Sequence, residues 1–316
     1  HATKHFVIQG TEMTKYNTKD RTIDCNPTLN DSQVLEFCKN GYLILENVVP
    51  EEINKKTIAY LNEEIPSNPE YIPDGLSAKD LEAIRKSNEP STLILEKWFR
   101  ENVIMNPSLC GALRSLLGAN FGIPVLISAH SVECPAAAQP WHHDADSVFG
   151  PELHYLENFY YPQDTPIEMG PTEILPGSHI SHTTLDYKDC GTLATVPAGS
   201  FVIHHQSIFH RRGKSTGKGK RHMLKYNYWR TSEPERDWLE DPDFDPRTAD
   251  YGGHNVGRYY AHMFYWLSGK GDQYRIIGGQ AWPWNIKNQI GPSYGFGISE
   301  GYKPDWRKNN PDGYTN

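Results

Sequence analysis

The sequence predicts a mainly β protein with flanking helices, its strands forming an antiparallel sandwich or barrel. Three observations carry this. From about residue 124 to 230, short apolar or alternating runs recur at 125–131, 153–161, 172–175, 192–196, 200–204 and 223–229. Turn residues separate them, at Pro140, Gly150, Pro162, Gly170, Pro176, Pro197, Gly213 and Gly217. Before Gly118 the pattern is helical instead. Many short strands separated by turn signals are the mark of sandwiches and barrels.

Each element has its own signal. Residues 1–30 read as a polar, turn-rich arm. Asn30 and Asp31 offer an N-cap for a helix through Cys38, which Gly41 ends. Tyr42, Leu43, Ile44 and Leu45 form a buried strand, stopped by Pro50. Residues 51–64 read as an amphipathic helix with Ile53, Ile58 and Leu61 on its apolar side. The Pro-, Gly- and Ser-rich stretch 66–80 is a loop. Further helices cover 79–87, 95–104 and 107–117. After the strands, the acidic stretch 233–245 reads as a surface excursion. Residues 251–269 and 274–284 are dense in Tyr, Trp and Gly, and 256–267 reads as a helix. Its aromatic face is assigned to core packing or a dimer face ahead of a lid role. The organisation expected is a single domain over 1–316: an arm (1–30), a helical flank (31–118), a β-core (119–230) and an aromatic C-terminal segment (231–316).

Composition limits the function. The chain has 316 residues, enough for one large core. A net charge of −8 argues against nucleic-acid binding through global charge. No apolar run approaches the roughly 20 residues that span a bilayer. The first residue, His1, is not an initiator methionine, so a trimmed or extended start is expected. The stretch to Tyr16 lacks the shape of a secretory leader. Five cysteines with no CxxC pair imply reduced, mostly buried thiols and a cytoplasmic protein. The partner expected is a small-molecule substrate, with no nucleic acid and no membrane; the oligomeric state stays open.

The chemistry concentrates in Trp141-His142-His143-Asp144. Side chains alternate along an extended segment, so His142 and Asp144 share a face while His143 turns away. One more histidine would complete two imidazoles and a carboxylate, the facial set of non-haem iron(II) oxygenases. Downstream, His204, His205 and His210 compete for that place. Arg221 stands eleven residues after His210 (221 − 210) and opens the last run. With 213–220 as the turn between two antiparallel neighbours, His210 and Arg221 would meet at one end of the barrel. An arginine there offers a bidentate fork for a carboxylate. Lys214, Lys218, Lys220, Arg211 and Arg212 make this turn basic; it reads first as a solvated hairpin, and second as a surface that steers an anionic substrate.

Several motifs in order resemble one family. The segment from Asn40 to Glu52 is similar to the opening helix and strand of the phytanoyl-CoA dioxygenase-like oxygenases, which depend on iron(II) and 2-oxoglutarate. The His142-x-Asp144 pair follows, then Gly170-Pro171-Thr172-Glu173-Ile174-Leu175-Pro176-Gly177-Ser178-His179, then His210 with Arg221 at the spacing this family shares. The resemblance covers about residues 31–230. It implies a double-stranded β-helix, or cupin-like jelly roll. It implies Fe(II) held by His142, Asp144 and His210, and 2-oxoglutarate anchored by Arg221. It implies oxidation of an unactivated C–H bond with O2, giving succinate and carbon dioxide. Asp144 points to hydroxylation, desaturation or cyclisation, because related halogenases carry a small residue there. Thr172 and Tyr160, with Asn158 on the face of Tyr160, are expected to line the cosubstrate. Trp141 reads as a core residue or a site residue alike, and His143 and His179 as structural. Two alternatives remain: a jelly-roll metal enzyme without 2-oxoglutarate, such as an isomerase or hydrolase, for which Arg221 would be dispensable, and a non-catalytic binding protein.

Overall fold

Asn30 starts the first helix as expected. Its side chain accepts from the Gln33 backbone, and the Gln33 side chain accepts from the Asn30 backbone, a reciprocal capping box. Helix α1 (Asp31–Asn40) ends at Gly41 in the left-handed conformation, φ 76°. A Cβ there would stand 2.3 Å from Nδ1 of His179, so glycine is required twice over. The structure is a computed structural model that describes residues 7–9, 25–87, 91–144, 149–180, 191–245, 249–252 and 254–270.

Strand β1 (Val7–Gln9) runs parallel to β2 (Tyr42–Glu46). Helices α2 (Glu51–Leu61), α3 (Ala78–Arg85), α4 (Lys97–Phe99, continued as a π turn to Ile104) and α5 (Pro107–Leu117) follow. The apolar side expected of α2 packs on the core through Ile53 and Leu61, but it is not the deepest part of the helix. Asn54, Thr57 and Tyr60 are its buried residues, while Ile53, Ile58 and Leu61 are half-buried. The polar groups are tolerated because each is bonded. Asn54 donates to the Val49 carbonyl and accepts from Tyr160, Thr57 donates to Ile53, and Tyr60 meets Thr92.

The strands that follow are β3 (Ser128–Ala129), β4 (Val132–Cys134), β5 (Tyr155–Tyr161), β6 (Thr172–Ile174), β7 (Thr192–Leu193), β8 (Ser200–His205), β9 (His210–Arg212), β10 (Gly219–Arg221) and β11 (Leu224–Trp229). They form a six-stranded sheet in the order β1-β2-β8-β5-β11-β3, a three-stranded sheet β7-β6-β9 and a pair β10-β4. Every pairing except β1–β2 is antiparallel. The fold is therefore mixed α/β with antiparallel sheets. One strand of the large sheet, β2, comes from the stretch expected to be a helical flank. The hairpin expected across 213–220 is not formed: β9 pairs with β6, and β10 with β4.

Period two governs the large sheet. Leu43, Leu45, Tyr160, Phe201, Ile203, Tyr226 and Tyr228 point to the helices and share a core with Phe37, Leu113 and Phe264. Ile44, Phe159, Tyr161, Val202 and Met223 point the other way, into a second cluster with Ile174 of β6. Each such fully buried side chain contributes about 1.5–3 kcal/mol.

Helix α6 (His254–Leu267) packs on α1. Ala261, Met263, Phe264, Tyr265 and Leu267 are buried in the core, while Tyr259 is exposed. The stretch 233–245 is not a mere surface excursion. Asp31 accepts from Arg236, from the Trp238 indole at 2.7 Å and from the Asp241 backbone at 3.0 Å, and Trp238 is buried. No helix among the described residues is long and apolar enough to cross a membrane. Cys25, Cys38, Cys110 and Cys134 are free thiols, and the first three are buried. The stretch 274–284 lies outside the described residues.

Candidate metal centre and cosubstrate pocket

His142 and His210 are stapled back to back. Each backbone N–H donates to the other's carbonyl at 3.0 Å, and their rings stand 4.5 Å apart. The Nδ1 of His142 lies 3.0 Å from the Pro140 carbonyl, and that of His210 lies 3.0 Å from the Ile208 carbonyl. A carbonyl only accepts, so each Nδ1 carries the proton and each Nε2 presents a lone pair. Asp144 completes the group: its Oδ2 is 3.8 Å from Nε2 of His210. The three ligand atoms lie within 4.8 Å of one another.

The segment 170–179 is what holds β9 in place. Gly170 has φ 66°, and a Cβ on it would meet the Gly213 carbonyl at 2.6 Å. Leu175 donates to the Phe209 carbonyl, and Phe209 donates to Ser178 Oγ. His179 is buried, with its Nε2 3.1 Å from the Cys38 carbonyl, and so has the structural role expected. His143 is likewise structural: its Nδ1 faces the Ser207 carbonyl, and it packs on Phe209. Trp141 stacks on Phe209 at 5.3 Å and lies under the Arg211 guanidinium.

The electrostatics favour a neutral His210 beside an ionised Asp144. Burial lowers the pKa of His210 to about 4. Burial pulls the Asp144 carboxyl up, but the hydrogen bond from Glu157 and the Lys225 ammonium outweigh it and hold Asp144 well below the usual carboxylate range. Burial, reinforced by Asp144, pushes the Glu157 carboxyl well above its ordinary value. Burial works against the Lys225 ammonium, yet the two carboxyls leave it above the ordinary lysine value.

Arg221 opens into the same pocket as His142, Asp144, His210 and Thr172. It is 1% exposed, and its Nε and one terminal nitrogen have no hydrogen-bond partner among the described residues. A buried guanidinium left this way is costly. A carboxylate that accepted from its fork would relieve that cost. Thr172 shares a hydrogen bond with Tyr161 at 2.6 Å, and the Tyr161 ring lies 5.5 Å from the Arg221 guanidinium carbon. Adjacent ligand atoms on an octahedral ion at about 2.1 Å lie about 3 Å apart, so these three atoms, within 4.8 Å of one another, converge on one ion after a small side-chain shift.

The structure thus gathers His142, Asp144, His210, Arg221 and Thr172. It does not bring Tyr160 or Asn158 to them. Both are buried on the helix-facing side of β5, where Tyr160 packs on Phe99 and Phe201 and bonds Asn54. Phe159 is on the pocket side instead, and Glu157 and Tyr161 share its face. His204 and His205 alternate across β8, and neither is exposed, because both faces of the sheet are covered. The sequence reading missed Glu157 and Lys225. A charged residue inside a largely apolar strand was the available signal for both.

This donor set on this sheet framework defines a non-haem iron(II)- and 2-oxoglutarate-dependent oxygenase. Residues 37–223 match the phytanoyl-CoA dioxygenase (PhyH) family, and the chain belongs to it. Among solved structures it is similar to CytC3 with Fe(II) and alpha-ketoglutarate, at 17% identity and a TM-score of 0.50, covering 65% of this chain and 79% of that one. It is also similar to the non-heme monooxygenase ThoJ in a nickel complex, at 16% identity and a TM-score of 0.49, covering 77% and 98% of the two chains. At these identities the likeness to CytC3 is one of fold. No curated protein matches the chain. Iron(II) and 2-oxoglutarate are the cofactors of this family, and the residues present fit them.

Proposed function

We propose that the protein oxidises an unactivated C–H bond of a small molecule, with His142, Asp144 and His210 as the iron ligands and Arg221 as the anchor for the far carboxylate of 2-oxoglutarate. The observation that carries this is the buried Arg221 guanidinium, two of whose nitrogens have no partner among the described residues, in the same pocket as the three ligand atoms. A metal enzyme that used no dicarboxylate would have no use for that buried charge. The two antiparallel sheets that share the Phe159, Ile174 and Val202 cluster support a reading of the core as a double-stranded β-helix. Residues 1–316 are read as one oxygenase domain, and the free buried thiols support a cytoplasmic setting.

When bound, iron(II) with 2-oxoglutarate and dioxygen supplies the oxidising power, and the cosubstrate leaves as succinate and carbon dioxide. The chain does the rest. His142 and His210 are fixed by the Pro140 and Ile208 carbonyls, so neither ring must reorient. Arg221 sets the cosubstrate's direction, and the hydroxyls of Thr172 and Tyr161 close the wall beside it. Phe159 and Met223 keep that wall apolar and exclude water. Asp144 as a third protein ligand supports hydroxylation, desaturation or cyclisation over halogenation.

The test is anaerobic addition of iron(II) and 2-oxoglutarate to the apoprotein, followed by visible spectroscopy. The weak charge-transfer band of the chelate is expected, and in Arg221→Leu only at much higher 2-oxoglutarate. Iron uptake with no band at any 2-oxoglutarate concentration would overturn the assignment.

A further inference from the structure

The two oxygens of Asp144 have different partners. Oδ2 faces Nε2 of His210, while Oδ1 lies 2.8 Å from the Lys225 ammonium. The same ammonium is 2.9 Å from Oε1 of Glu157, and the other oxygen of Glu157 is 3.5 Å from Nε2 of His204. The row crosses three adjacent strands: Glu157 pairs in register with His204 on β8, and β11 brings Lys225 alongside. Glu157 and His204 are buried, and the Phe159 ring packs 4.5 Å from His204. Stability does not call for such a row, since well-packed apolar groups of the same volume do as well or better. What the row does is hold one carboxylate oxygen.

We infer that Lys225, braced by Glu157, is a positioning residue that keeps Asp144 a one-oxygen ligand. A carboxylate can take a metal through one oxygen or two. Three protein atoms on an octahedral ion leave three adjacent positions. A second oxygen from Asp144 would leave only two, fewer than a chelating keto acid and dioxygen need together. By engaging Oδ1, Lys225 keeps that position open. The inference rests on the ligand assignment proposed above.

Lys225→Met keeps the stem and removes the ammonium. The apoprotein is titrated with Mn(II), then with 2-oxoglutarate, and the metal-only EPR spectrum is recorded. Mn(II) affinity is expected to hold or tighten, 2-oxoglutarate affinity to fall by about tenfold or more, and the metal-only spectrum to change. Lys225→Arg, which retains a donor, is expected to recover most of the loss. Glu157→Leu is expected to share the defect, and Glu157→Gln, which keeps an acceptor, to lose less. Wild-type 2-oxoglutarate affinity in Lys225→Met overturns the inference. So does weaker 2-oxoglutarate binding with an unchanged metal-only spectrum, which would mean that Lys225 touches the cosubstrate itself. Equal loss of Mn(II) binding in Lys225→Met and Lys225→Arg overturns it in favour of a role in folding. A wild-type protein that is folded yet takes up no Mn(II) refutes the ligand assignment instead, a separate result.

Discussion

His142 and His210 exchange backbone hydrogen bonds at 3.0 Å in both directions, so the two imidazoles share one rigid staple although 68 positions separate them (210 − 142). The staple is made by main-chain atoms and survives replacement of either side chain. His142→Ala and His210→Ala are therefore expected to fold, with unchanged far-UV circular dichroism. Each should lose metal affinity by more than the roughly 10–100-fold typical of losing a mere supporting contact. Mn(II) titration of both variants checks this, and uptake at the wild-type level in either would remove that histidine from the ligand set.

Arg221→Leu separates stability from binding. In the apoprotein the guanidinium is buried with two nitrogens that have no partner among the described residues. Removing it relieves a desolvation cost, so urea unfolding without cosubstrate should show equal or greater stability. Losing a buried charge partner costs about 2–5 kcal/mol in binding, a rise of about 30-fold or more in the 2-oxoglutarate requirement. Lower apoprotein stability together with unchanged 2-oxoglutarate affinity would show that Arg221 is structural.

Asp31 ties the chain after the strands to the first helix. It accepts from Arg236, from the Trp238 indole and from the Asp241 backbone. Asp31→Ala leaves a buried indole N–H and a half-buried guanidinium without their acceptor. Destabilisation of about 3 kcal/mol is expected, read as a lower urea midpoint. A change below about 0.5 kcal/mol, the scale of an ordinary surface substitution, would restore the surface-excursion reading of 233–245.

Much of the site was legible because its residues announce themselves by type and spacing. His142 and Asp144 two apart, and His210 with Arg221 eleven on, are sequence patterns, and the structure gathers all four. The helix cap at Asn30 and the stop at Gly41 were legible for the same reason. Strand facing was not. Period two divides β5 into two sets but does not say which set meets the pocket. Burial on both faces erases the polar–apolar contrast that would decide it, so Tyr160 and Asn158 stood in for Phe159 and Tyr161. Glu157 is settled only by its partners Lys225 and His204, which are distant in sequence. The expected hairpin failed similarly: proximity in sequence suggested that β9 and β10 pair, while each finds a partner from an earlier strand.

His179 makes stability depend on pH. Burial lowers its pKa from 6.5 to about 4, with its hydrogen bond to the Cys38 carbonyl opposing the shift only in part. A folded-state pKa below the unfolded one means that the unfolded chain binds the extra proton. The contribution is therefore fully present above pH 6.5 and is lost as pH falls toward 4. At one pKa unit per about 1.4 kcal/mol, the loss between pH 7 and pH 4.5 is about 2 kcal/mol. His179→Gln removes the titrating group and retains a donor for the Cys38 carbonyl. Metal-free wild type and His179→Gln are compared by urea unfolding across this range. The wild-type advantage is expected to shrink by about 2 kcal/mol on acidification. The subtraction cancels His204 and His210, whose shifts do not involve His179 and which titrate in both proteins, while the neighbouring His205 is relieved of His179 in the variant. A gap that stays constant with pH would show that His179 stabilises by packing against Gly41 and His205 alone.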